Sequence, residues 1–148
     1  MAEPLSSALT GTWELITRTT ITRGGREIPP SFGDAIAMVI YDGHGNFSAQ
    51  FMKKDRQSGD QDPESGAPPA PNNSRAVSGY DAYFGRYTVD DARGSVTQTL
   101  TGSLSPENVG QVLTRRMSVD NGELTIRVDT TTDHGEPAVL TLRWRRLG

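Results

Sequence analysis

Strand alternation turns a small set of polar side chains toward one interior. In YFGRYTV, Tyr83, Gly85, Tyr87 and Val89 share a face, and Phe84, Arg86 and Thr88 share the other. Arg86 belongs in water or at a rim, so the tyrosine face is the inward candidate. In SVTQTL, Val96 and Leu100 face in and take Gln98 with them. In LTRRMSV, Leu113, Met117 and Val119 share a face, which places Arg115 among them and Arg116 outside. In TWELIT, Trp13 and Leu15 carry Thr17 inward by the same parity, and Tyr41 ends an apolar strand nearby. The wall so defined is apolar with a few polar tips, the composition of a small-molecule pocket. In such a pocket Tyr83 or Tyr87 could act as general acid, with Arg115 and Gln98 stabilising a developing oxyanion. The same groups could simply orient a bound ligand. They could also be structural: tyrosines packed with satisfied hydroxyls, and Arg115 paired with Glu14 or Asp129 or turned out at a barrel end.

Other chemistries lack their residues. There is no cysteine, and His44 and His134 both sit in turns, in DGHGN and DHGEP, so nucleophilic catalysis has no base on a strand face. No metal-binding pattern, phosphate-binding loop or dinucleotide fingerprint is present, so no metal and no cofactor is expected. The acidic DRQSGDQDPE reads as a solvated loop. A net charge of −3 argues against a general nucleic-acid binder. No apolar run approaches the roughly 20 residues that cross a bilayer, and the start MAEPLSSALTGTW has no signal-peptide pattern. The expectation is a cytoplasmic protein with a small apolar or amphipathic ligand, no nucleic-acid or membrane partner, and a homodimer as the open possibility for self-association.

The elements that must position these residues are strands. TWELITRTTIT alternates, AIAMVIY is a nearly continuous apolar strand, and DGHGN turns it into NFSAQFM, so 35–52 reads as a hairpin. From 82 onward, strands alternate with short turns every ten to twelve residues or so, the rhythm of antiparallel neighbours. Between them, 53–74 is rich in Pro, Gly, Asp and Ser with no apolar pattern. It reads as a mobile loop, either a lid over a barrel mouth or an insertion without consequence. Ala76, Val77, Tyr80, Tyr83 and Phe84 fall at helical spacing and predict one short helix leading into the next strand. The whole, 1–148, is one all-β domain: an antiparallel up-and-down β-barrel of about eight strands with one short helix. Gly85 then marks either a bend or a gap that leaves room for a ligand.

GTW, residues 11–13, is similar to the G-x-W signature of lipocalins and the wider calycin superfamily. In those barrels the tryptophan plugs one end and an arginine from near the last strand lies across its ring. That resemblance assigns the role to Arg143, Arg145 or Arg146 of LRWRR. More of the chain resembles the bacterial lipocalin-like domain family. The shared features come in the same order: GTWEL, IYDGHGNFSAQFMKKDR, YDAYFGRYTVD, SVTQTLTGSLSP, VGQVLTRRMSV and LRWRR. Members often carry histidine where this chain has Gln98, which can share hydrogen bonds but cannot transfer protons as imidazole does. The resemblance implies the barrel. It also implies either a binder of a small, largely apolar molecule or a cofactor-independent cyclase, isomerase or dehydratase acting on a biosynthetic intermediate. The remaining alternative is an interaction module with a filled barrel and an exposed strand edge.

Overall fold

The computed structural model describes residues 3–29, 34–56, 79–132 and 134–148. The expected loop lies outside the described residues from 57 onward, and the lid reading lies outside them with it. Among the described residues nine strands run in order: β1 (Gly11–Thr22), β2 (Glu27–Ile28), β3 (Ala35–Tyr41), β4 (Asn46–Lys53), β5 (Tyr80–Asp90), β6 (Ser95–Ser103), β7 (Val112–Asp120), β8 (Glu123–Thr131) and β9 (Pro137–Arg146). From β3 to β9 each strand pairs antiparallel with the next, and β9 returns to β1. Eight strands therefore close into an up-and-down barrel, and β2 is a short extra strand on the far half of β1.

The helix expected before Tyr83 is not a helix where it can be seen. Tyr80–Tyr83 belong to β5, paired with Met52 to Ala49 of β4. The remainder of that helix, up to 78, lies outside the described residues. Apolar residues at 80, 83 and 84 fit a helical face, but the ladder with β4 runs through the whole stretch and that with β6 joins at Tyr83, and strand pairing wins. The short helix is instead α1 (Leu5–Ala8), at the closed end.

That end is sealed by contacts that begin in GTW. The Trp13 ring is fully buried, and its Nε1 donates to the Leu9 carbonyl at 2.9 Å. Of the three candidate arginines, Arg146 takes the place over the ring, with its guanidinium carbon 4.3 Å from the centroid. It also donates to the carbonyls of Thr10 (2.8 Å) and Ala8 (2.6 Å). A cation over an indole contributes roughly 0.5–2 kcal/mol. Gly11 is needed because a Cβ there would fall 2.5 Å from a guanidinium nitrogen, at a φ of +143°.

Two bulges set the phase of the strands. Across β1 and β9, Leu15 pairs with Trp144 and Thr17 with Arg143, so Ile16 is the extra residue. Across β5 and β6, Phe84 pairs with Gly102 and Gly85 with Leu100, leaving Thr101 unmatched. At this second bulge a Cβ on Gly85 would lie 1.9 Å from the Thr99 carbonyl oxygen. Gly85 is therefore a site of close backbone approach where the strand bends, and the reading of it as room for a ligand is corrected. The Phe84 ring lies on the outside against Gly102, where it would meet a Cβ at 2.4 Å.

Replacing Gly85 with alanine should force these two strands apart and cost roughly 2 kcal/mol or more. Gly43→Ala, whose added carbon would meet only a methyl at 3.9 Å, should stay within about 0.5 kcal/mol. Urea midpoints of the two variants check this.

Candidate functional site

The barrel holds a cavity of about 610 Å³. Its floor is aromatic. Tyr41 is buried, edge-on to Tyr87 at 5.1 Å and stacked with Phe47 at 6.1 Å. Gln98 Nε2 donates to the Tyr41 hydroxyl at 2.7 Å, and that hydroxyl donates on to Met117 Sδ at 4.0 Å. Burial raises the Tyr41 pKa above the phenol range, with the neighbouring Tyr83 adding to it, so Tyr41 serves as a neutral hydrogen-bonding group. Higher up, the Phe51 ring packs edge-on to Trp144 at 5.8 Å and stacks with Tyr83 at 6.4 Å.

Arg115 faces inward as alternation on β7 predicts, and it is 7% exposed. Its neighbours differ from those expected. Glu14 and Asp129 are engaged with Arg145 and Arg116, each at 2.8 Å. Arg115 lies instead near the phenols of Tyr83 and Tyr41. Burial lowers its pKa and the two phenols oppose that effect. A guanidinium stays charged under such pressure, so the cavity wall carries a fixed cation beside two phenols.

The sequence-predicted residues divide as follows. Tyr41, Tyr83, Gln98, Arg115 and Met117 all line this cavity. Tyr87 is buried but is not part of that lining, because its hydroxyl donates to the Asp42 carbonyl at the closed end. Gly85 belongs to the bulge. Thr17 is exposed, which corrects its inward placement: the extra residue Ile16 flips alternation, so Arg18 and Thr20 line the cavity and Thr22 is buried. Beyond this bulge β1 no longer pairs with β3, and β2 takes up the pairing at Thr20 and Ile21. Arg18 lines the cavity near this change of partner. Burial lowers its pKa, and the Asp34 charge opposes that. His134, read as turn decoration, lines the mouth from the β8–β9 turn, together with Arg26 and Glu27.

Asp81 was missed altogether. It sits two residues before Tyr83 on the same face of β5, opposite Phe51 of β4, and is 4% exposed. Desolvation pushes its carboxyl from 3.8 up to about 7, with only a backbone hydrogen bond from Ala82 opposing. The helical spacing of 76–84 hid it. Extending the YFGRYTV alternation back by one pair would have found it. Among the described residues no group of three or more His, Cys, Asp or Glu is arranged to hold a metal ion. No described helix is long and apolar enough to cross a membrane.

A closed antiparallel barrel of eight strands, sealed at one end by a G-x-W tryptophan under an arginine and hollow toward the other, is a lipocalin-like architecture. The lipocalin-like domain family model matches residues 10–147, and the chain belongs to that family. Two solved structures are similar to it. One is the bovine odorant binding protein in complex with a selenium-containing odorant, at 15% identity and a TM-score of 0.48, covering 100% of this chain and 76% of that one. The other is Rv2717c from M. tuberculosis, at 13% identity and a TM-score of 0.38, covering 100% and 99%. No curated protein matches the chain.

The Asp81 carboxyl makes stability depend on pH with a definite sign. Its folded pKa lies above its unfolded one, so the folded state binds the extra proton between about pH 4 and about pH 7. Stability should fall as pH rises through that window. Asp81→Asn should be near neutral at pH 4 and more stable than the parent at pH 8, by on the order of 2–4 kcal/mol. Denaturant unfolding at the two pH values measures it.

Proposed function

We propose that the barrel interior binds a small, largely apolar molecule, with Arg115, Tyr83, Gln98 and Tyr41 as the polar groups that orient it. The observation that carries this is the cavity itself. A space of about 610 Å³ is lined by aromatic and aliphatic side chains together with charged and polar ones, among them Arg18, Asp81, Gln98 and Arg115. Small-molecule sites commonly have volumes of roughly 300–1,000 Å³ and this same mixture. A barrel serving only as an interaction module would instead fill its interior with its own side chains. Thr17, Gly85 and Tyr87 drop out of the proposed ligand-contacting set for the geometric reasons given above.

A second reading is favoured by Arg115 lying beside two phenols. On it, the cavity is the site of a cofactor-independent cyclase, isomerase or dehydratase working on a biosynthetic intermediate. Tyr83 is then the general acid, and Arg115 and Gln98 stabilise the oxyanion. Tyr41 is held neutral and already shares hydrogen bonds with Gln98 and Met117, so it orients rather than transfers.

Titration with the fluorescent anion 1-anilinonaphthalene-8-sulfonate tests the binding reading. Saturable one-to-one binding is expected, weakened by about tenfold or more in Arg115→Ala, since a buried charge contact is lost. The exposed Thr17→Ala should leave the affinity unchanged. No saturable binding, together with a crystal structure showing the interior filled by side chains, overturns both pocket readings. Native mass spectrometry of the freshly purified protein would supply a natural ligand to assay for turnover, which separates the two.

A further inference from the structure

Two buried polar groups of the cavity wall are not used by the site described above. Asp81 Oδ1 has no hydrogen-bond partner, and neither has the indole Nε1 of Trp144. Both residues line the cavity, and Phe51 connects them, since its backbone lies opposite Asp81 and its ring lies against Trp144. Leaving such groups unpaired costs about 1–3 kcal/mol each. A structure that keeps them beside an internal space holds unspent hydrogen-bonding capacity there.

The character of that capacity follows from its surroundings. Arg18 and Arg115 supply fixed cations to the same wall, so a cationic ligand is repelled. Trp144 can only donate, and the two arginines can only donate. A carboxylate at Asp81 would be the exception, but it is buried and only one backbone N–H, that of Ala82, favours its charge. On its own strand the neighbouring titratable group on this face is Tyr83. On β4, Phe51 is opposite, and Lys53 at the strand end lies 3.8 Å from Asp55. No titratable residue occurs on β6. Across the cavity stand Arg18, Arg115 and Tyr41, and at the mouth Arg26, Glu27 and His134. None of these shifts the Asp81 carboxyl, which feels desolvation and one backbone N–H.

We propose that Asp81 binds ligand in its protonated form, so that the cavity recognises an apolar molecule through hydrogen-bond-accepting oxygens: a ketone, quinone or lactone. Asp81 and Arg115, both lining the cavity, then meet the ligand as donors. This deepens the binding reading and rests on it. Ligand affinity is linked to one proton. Binding is full while the carboxyl keeps its proton, and it weakens about tenfold per pH unit once the carboxyl has lost it.

The probe is 6-propionyl-2-(dimethylamino)naphthalene, an uncharged aromatic ketone whose emission reports hydrogen bonding to its carbonyl. It is titrated into the full chain at pH 6 and pH 9. The parent should bind at pH 6 and at least tenfold more weakly at pH 9. Asp81→Asn, whose amide donates at every pH, should keep its pH 6 affinity at pH 9. Thr17→Ala and His134→Gln should retain the pH dependence of the parent. Equal binding by the parent at both pH values overturns the proposal while leaving the pocket reading standing. A pH dependence that survives in Asp81→Asn, or that vanishes in His134→Gln, also overturns it. Absence of ketone binding at both pH values overturns the binding reading and this inference together.

Discussion

A closed sheet has a fixed inside, and every other property of this protein depends on how that closure is phased. The pairing of β1 with β9 completes the ring. Once it is made, each residue of the barrel strands is committed to cavity or solvent by its parity. The two bulges are therefore consequential. At Ile16 one extra residue exchanges the faces of β1 partway along, so that tryptophan and leucine point in below and arginine and threonine point in above. The lower half becomes core and the upper half becomes a polar wall. One inserted residue does this while the ladder with β9 continues on both sides of it.

The two ends of the barrel divide the work. At the closed end each polar group has a partner: the indole N–H of Trp13 is spent on Leu9, the guanidinium of Arg146 on two carbonyls and a ring, and the Tyr87 hydroxyl on Asp42. Asp42 also accepts hydrogen bonds from the backbone N–H groups of His44 and Asn46, which fix the turn beneath. Toward the cavity the pattern is different. Aromatic rings pack against one another, Arg115 is buried beside two phenols, and Asp81 Oδ1 and Trp144 Nε1 have no hydrogen-bond partner. A buried cation and a buried acid are costly to a fold. The stability supplied by the sealed end is what lets the open end keep them.

Much of this was legible in the sequence. Alternation alone put Gln98, Arg115 and Met117 on inward faces, because β6 and β7 run without a bulge through those positions. The GTW and LRWRR segments located the plug and its arginine, though choosing Arg146 over Arg143 or Arg145 required the register that sends the other two outward to Glu123 and Glu14. Two placements, Thr17 and Gly85, failed for one physical reason. Parity is a local rule, and a bulge is imposed by strands distant in sequence. Thr17 lies beyond the bulge at Ile16 and was placed on the wrong side. Gly85 looked like spare volume because the oxygen it makes room for belongs to Thr99, fourteen residues on. Asp81 was lost differently: its neighbours satisfy a helical period and a strand period equally well, and only the β4 partner decides between them.

The pairing of the first strand with the last also constrains how the chain can fold. Trp13 meets Arg146 and Thr22 meets Ala138, contacts that span most of the sequence. Hairpins from β3 to β9 can form in succession as neighbours meet, but the seam is the step that must bring distant segments together, and its loop-closure entropy is paid before any of its contacts reward it. Until β9 arrives, β1 has an unpaired edge along most of its length. The same seam that covers this edge of β1 in the finished barrel thus leaves the unfinished one open to pairing with a second chain. Assembly order, as much as final stability, sets how efficiently this protein reaches its native state.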